Sequence, residues 1–98
     1  MLYWVIYDIS DNGKRGKVAR ICKNYGLRRV QKSSFLGETT RNRIEMLEIE
    51  CKEVLEESDD YLFVLPYCES CFGGRKIIGT LDEKKIRDCG YAFIGGAT

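Results

Sequence analysis

Leu2-Tyr3-Trp4-Val5-Ile6-Tyr7-Asp8 is the stretch that decides the fold. β-Branched and aromatic residues fill it, which favours an extended strand. Leu2, Trp4 and Ile6 make one face and Tyr3, Val5 and Tyr7 the other, so both faces are apolar. Such a strand has to be covered on both sides. Helices can cover one. In a chain of 98 residues a second subunit is a natural cover for the other.

Outward from that strand, Ser10-Asp11-Asn12-Gly13 carries turn chemistry. Val18, Ile21, Cys22 and Tyr25 then recur at helical spacing and predict a helix over 14–25, stopped by Gly26. Residues 28–38 are extended, either as one long bent strand or as two short paired ones, and Gly37 is a candidate bulge. A second helix is expected over 40–57, with Ile44, Leu47, Cys51 and Val54 or Leu55 as its apolar stripe. Thr40, or Asn42 with Glu45 three residues on, would cap it. Tyr61 to Leu65 reads as a strand closed by Pro66. Short strands are expected over 75–79 and 91–94. Strand–helix–strand–helix–strand, with the middle strand single or doubled, is an α+β sandwich of the ferredoxin-like type, built as one domain over 1–98. The late strands do not fit comfortably in so small a sheet, and one of them is expected to pair with a partner's edge.

Composition narrows the chemistry. Apolar residues make up 44% and charged ones 32%, and the longest unbroken apolar run is Leu2 to Tyr7. A membrane-spanning helix needs ~20 apolar residues, so a soluble, cytoplasmic protein is expected. The five cysteines are an odd number, and no secretory signal opens the chain, which points to reduced thiols. There is no His, so imidazole bases, Ser/Cys–His nucleophiles and His-containing zinc sites are excluded together. The net charge is only +1, but its distribution is uneven. Between Asp11 and Glu38 there are eight bases and no acid; from Glu45 to Asp60 there are eight acids and one base, Lys52. A basic third of the chain suits phosphate contacts. Two solvated helix faces of opposite sign would look the same.

Asp8 is the first candidate for chemistry. A carboxylate at the end of a strand, beside a helix N-terminus, can hold Mg²⁺, which takes one or two carboxylates and keeps water or phosphate oxygens as its other ligands. The plainer reading is a helix-entry acid favoured by the dipole. Asp11 competes for either role and suits the N-cap better. One carboxylate makes a poor metal site, and a dimer that joins two copies of Asp8 would remedy this. Arg15, Lys17 and Arg29 are candidates to grip phosphates. Ser10 and Ser33 could orient water or phosphate oxygens. Phe35 could stack on a base or pack in the core. Cys68-Glu69-Ser70-Cys71 is a lone C-x-x-C; zinc ribbons need a second pair. A redox site would want the motif to open a helix directly after a strand, and here it follows Pro66 and leads into Phe72-Gly73-Gly74. Incidental reduced thiols are the expectation there.

Several segments together resemble the CRISPR-associated Cas2 family. Val5-Ile6-Tyr7-Asp8-Ile9-Ser10-Asp11 looks like its first-strand motif, and Lys14-Arg15-Gly16-Lys17-Val18-Ala19 like the basic helix that follows. Tyr25-Gly26-Leu27-Arg28-Arg29-Val30-Gln31-Lys32-Ser33-Ser34-Phe35-Leu36-Gly37-Glu38 is similar to its second-strand signature. Leu65-Pro66-Tyr67-Cys68 and Ile77-Ile78-Gly79 match more loosely. The resemblance implies a ferredoxin-like βαββαβ homodimer with an extra C-terminal strand, residues 75–98 forming an extension that packs on the partner subunit. It implies that Asp8 is the catalytic, metal-binding acid, paired across the two-fold with its copy on a shared Mg²⁺. It places Arg15, Arg29 and Phe35 near the site, with Lys17 where an Arg often occurs.

Two functions follow. One is a metal-dependent endonuclease acting on single-stranded RNA, or on double-stranded DNA, and taking part in spacer acquisition with the Cas1 integrase. The other is a non-catalytic dimeric scaffold that bridges Cas1 subunits and binds duplex DNA through the basic 14–32 stretch.

Overall fold

The computed structural model describes residues 1–56 and 58–79. Strand β1 spans Leu2–Asp8, helix α1 Asn12–Asn24, β2 Arg28–Gln31, β3 Ser34–Glu38, α2 Arg41–Leu55, β4 Tyr61–Tyr67 and the short α3 Glu69–Gly73. The sheet order is β2-β3-β1-β4, every neighbouring pair antiparallel. This is the expected ferredoxin-like α+β arrangement, and the 28–38 segment is two paired strands rather than one.

Local chemistry sets the element ends. The Asp11 side chain accepts from the Lys14 N–H at 2.8 Å, so α1 begins at Asn12, two residues earlier than its apolar stripe indicates. Gly26 stops it at φ +84°, a left-handed conformation that a side chain disfavours. Of the two candidate caps for α2, Thr40 is the one used, its hydroxyl accepting from the Arg43 N–H.

The two faces of the sheet are covered differently. Tyr3, Val5, Tyr7 and Phe35 pack with Val18, Ala19, Cys22, Ile44, Leu47 and Cys51 of α1 and α2, and this is the main core. On the other face Leu2, Val30, Leu36 and Phe72 form a smaller cluster, flanked by Trp4, Tyr67 and Ile77. Phe72 comes from α3, so one end of this face is covered by the chain itself. At the other end Tyr61 and Phe63 remain 53% and 44% exposed.

Four expectations are corrected. The bulge lies in β2, where the register shifts between Arg29 and Gln31, and not at Gly37. Gly37 is required for close packing: a Cβ there would sit 2.6 Å from Leu27 Cδ2 and 3.1 Å from Leu27 Cα. Strand β4 runs through Pro66 to Tyr67, because β4 is an edge strand and a missing N–H on its outer side costs no ladder bond. Residues 75–79 are not a strand; the chain leaves α3 with Ile77 on the second cluster and Ile78 99% exposed, and no strand among the described residues pairs with it. Finally, the C-x-x-C motif does open a helix directly after a strand, since β4 ends at Tyr67 and Cys68 is the N-cap of α3. The strand expected over 91–94, and with it most of the 75–98 extension, lies outside the described residues.

Candidate metal and phosphate site

Alternation along β1 puts Asp8 on the same side as Ile6, away from the helices, and in register with Tyr61 of β4. Its carboxylate is exposed. The site therefore begins at the uncovered end of the open sheet face. Among the described residues no three metal-ligating side chains gather around it or elsewhere.

The loop after Asp8 is tied down from two sides. Ser10 donates to Asp60 Oδ1 through both its backbone N–H (3.1 Å) and its hydroxyl (3.2 Å). Arg15, in the first turns of α1, reaches back and donates to the Ile9 carbonyl at 3.1 Å and to Asn12 Oδ1. Its guanidinium is thus fixed beside the residue that follows Asp8, with the rest of its planar fork available to a phosphate. Lys17 is exposed on the same helix, as are Arg20 and Lys23.

The β2–β3 hairpin supplies the other side. The Ser33 carbonyl accepts from the Tyr7 N–H at 3.0 Å, which brings the hairpin turn next to the end of β1. Arg29 is exposed, and its guanidinium carbon lies 5.2 Å from the Phe35 ring centroid. Phe35 itself is 0% exposed and stacks on Tyr7, with ring centroids 6.4 Å apart and planes 23° from parallel. Both sides of the ring have neighbours within the fold, so Phe35 is placed to pack in the core and seat Arg29 rather than to stack on a base. The Tyr7 hydroxyl is buried without a hydrogen-bond partner among the described residues, and burial pushes its pKa up.

Asp8, Arg15 and the Ser33 turn thus sit at one end of the sheet and Lys17 stands on the helix beside it, whereas Arg29 and Phe35 lie in register with Val5, on the face opposite Asp8. Two participants escape a reading of the sequence. Asp60 looks like an ordinary helix-end acid, and only the β1–β4 register places it against Ser10, fifty residues away. Asn12 looks like a turn residue, and only the start of α1 puts it within reach of Arg15. Ser10, a candidate for orienting water, is committed to Asp60 instead.

Comparisons with known proteins follow this geometry. The family model described as CRISPR associated protein Cas2 matches residues 1–75. The chain is 33% identical over 94 residues to the CRISPR-associated endoribonuclease Cas2 1 of Archaeoglobus fulgidus, covering 96% of this chain and 100% of the relative. It is 52% identical over 33 residues to the Cas1/Cas2 fusion endonuclease of Thermoproteus tenax, covering 34% of this chain and 12% of that protein. The crystal structure of Streptococcus pyogenes Cas2 at pH 6.5 superposes with a TM-score of 0.69 at 21% identity, covering 81% of this chain and all of that one, which shows a shared fold.

Proposed function

The chain belongs to the CRISPR-associated protein Cas2 family, and on that premise we propose that it is a Mg²⁺-dependent endonuclease of single-stranded RNA. It acts as a homodimer whose two copies of Asp8 hold the ion between them. The observation that carries this reading is the exposed Asp8 at the end of β1, on the sheet face where Tyr61 and Phe63 are uncovered. An apolar face edged by a lone acid suits a two-fold contact that pairs the acids. One chain offers a half-site, and Mg²⁺, content with one or two carboxylates, fits its completion by a copy. When bound, such an ion lowers the pKa of a water ligand and offsets charge on the scissile phosphate.

The rest is done by this chain's own side chains. Arg15, held at the Ile9 carbonyl, presents its remaining donors to a phosphate oxygen. Ser33, at the hairpin turn, holds the backbone of the strand on the other side, and Arg29, seated on Phe35 on the helix-side face two strands away, adds positive charge there. Lys17 adds a point charge on α1. With no His in the chain, no imidazole can replace metal-bound water as the base.

Cleavage of single-stranded RNA and of duplex DNA, titrated with Mg²⁺, tests the reading. Asp8→Ala is expected to lower RNA cleavage by about 100-fold or more at an unchanged unfolding midpoint, and excess EDTA to abolish it. Retained activity in Asp8→Ala at matched purity, or full cleavage in EDTA, overturns it.

A second reading is favoured by the Cas1/Cas2 fusion and by the exposed bases along α1. It is a scaffold that bridges Cas1 subunits and binds duplex DNA with steep salt dependence. Spacer acquisition then survives Asp8→Ala and fails when Arg15 and Arg29 are both neutralised. Acquisition lost with Asp8 alone, while the complex stays assembled, counts against it.

A further inference from the structure

The four described cysteines form two unlike pairs. Cys22 and Cys51 are buried between α1 and α2, and burial pushes both thiols up to about 12. They are packing residues. Cys68 and Cys71 are both exposed and stand at the junction of β4 and α3, one helical turn apart. That spacing brings Cα atoms to about 5.5 Å, within the range a disulfide spans. The Cys68 sulfur is 3.3 Å from the Ser70 hydroxyl.

We propose that Cys68 and Cys71 are a reversible dithiol–disulfide pair, with Cys68 the attacking sulfur and Cys71 the resolving one, exchanging with small-molecule disulfides. Position sorts the two roles: Cys68 is the N-cap of α3 with the Ser70 hydroxyl beside its sulfur, and Cys71 lies inside the helix. The Ser70 hydroxyl first, then the Cys71 N–H and thiol, lower the Cys68 pKa to about 7, while the neighbouring Cys68 raises that of Cys71. Cys68 is the sulfur that ionises first, and Cys71 the one that holds its proton longer.

The exchange proceeds in two steps. The Cys68 thiolate attacks one sulfur of the external disulfide, the S–S bond breaks, and one small thiolate leaves. Cys71 then passes its proton to that thiolate and attacks Cys68, which releases the second small thiolate. The protein loses two electrons to the external disulfide and gains one S–S bond. A zinc site is a poorer fit, because it needs four ligands and the described residues assemble no group of three. Phe72, the residue after Cys71, covers the open face of the sheet, so the bond would fix the turn from which that cover hangs.

The test uses the full chain in glutathione–glutathione disulfide buffers, quenched, alkylated and mapped by peptide mass. The expected product is an intramolecular Cys68–Cys71 disulfide, reversed by dithiothreitol. In Cys71→Ser, glutathione is trapped on Cys68. Alkylation of Cys68 in that variant should have its midpoint near pH 7 and at that pH outrun alkylation of Cys71 in Cys68→Ser by about fivefold. Both side chains are exposed, so both variants should keep the wild-type circular dichroism. Pairing with Cys89 or between chains, an ordinary thiol profile for Cys68, or one equivalent of Zn²⁺ protecting both sulfurs would overturn the proposal.

Discussion

The two faces of one sheet are built to different standards. On the helix side Tyr3, Val5, Tyr7 and Phe35 meet two amphipathic helices and are all buried. On the other side, among the described residues, Phe72 closes one end, and Tyr61 and Phe63 at the far end are exposed beside Asp8. The first face is what a chain of this size needs to fold. The second exposes apolar surface and a carboxylate at one end. Most of the protomer's stability is therefore carried by one side of the four strands, while Asp8 and the proposed two-fold contact lie on the other.

The sharpest division is expected in stability. Phe35→Ala removes a ring from the closed face and should cost about 4 kcal/mol in a urea titration. Phe72→Ala removes one from the half-open face. It should cost less, about 2–3 kcal/mol, because its neighbours Trp4, Tyr67 and Ile77 are only partly buried. Equal losses would mean that the two faces are equally closed, and the contrast would fail.

A smaller effect should follow alkaline pH. In the helix-side core Cys22 and Cys51 keep their protons to about 12, while an unfolded cysteine loses its proton near ~8.5. Between those values the folded chain binds more protons than the unfolded one. Stability is therefore complete below that window and falls as pH rises through it. Burial raises Tyr7 in the same direction. Urea midpoints measured from pH 8 to 11 should decline, less so in a Cys22→Ala, Cys51→Ala chain compared with its own neutral midpoint. A flat profile in the parent would contradict the closed-core reading.

The smallest stability change should come from the open end. Phe63→Asp is expected to shift protomer stability by under about 0.5 kcal/mol, as an exposed substitution does. It should nonetheless abolish self-association in sedimentation velocity and, with it, Mg²⁺-dependent cleavage. An intact dimer with this substitution would move the two-fold contact away from this face.

Much of this could be read without coordinates, and the reasons are local. The alternation in 2–8 and the stripes of α1 and α2 are short-range patterns, and each of those elements lies where its pattern put it. Asp8 stood out because it ends an apolar strand. What escaped depends on register. Phe35 could be read as a stacking platform or as core, and only its place between Tyr7 and Arg29 decides for the core. Pro66 looked like a strand end because its missing N–H matters only where a neighbour lies on that side, and β4 is at an edge.

By itself, then, the amino-acid sequence determined the alternation of strand and helix through β4, the cap at Asp11, the polarised charge and the acid at the end of β1. All of these follow from residues within about one turn or one strand of each other. Tertiary structure alone decided that Asp60 clasps Ser10, that Gly37 clears the way for Leu27, that Phe72 covers one end of the second face, and that Cys68 opens a helix. Each of these rests on which strand pairs with which, or on where an element stops. Pairing brings together residues tens of positions apart, and no short-range pattern records it.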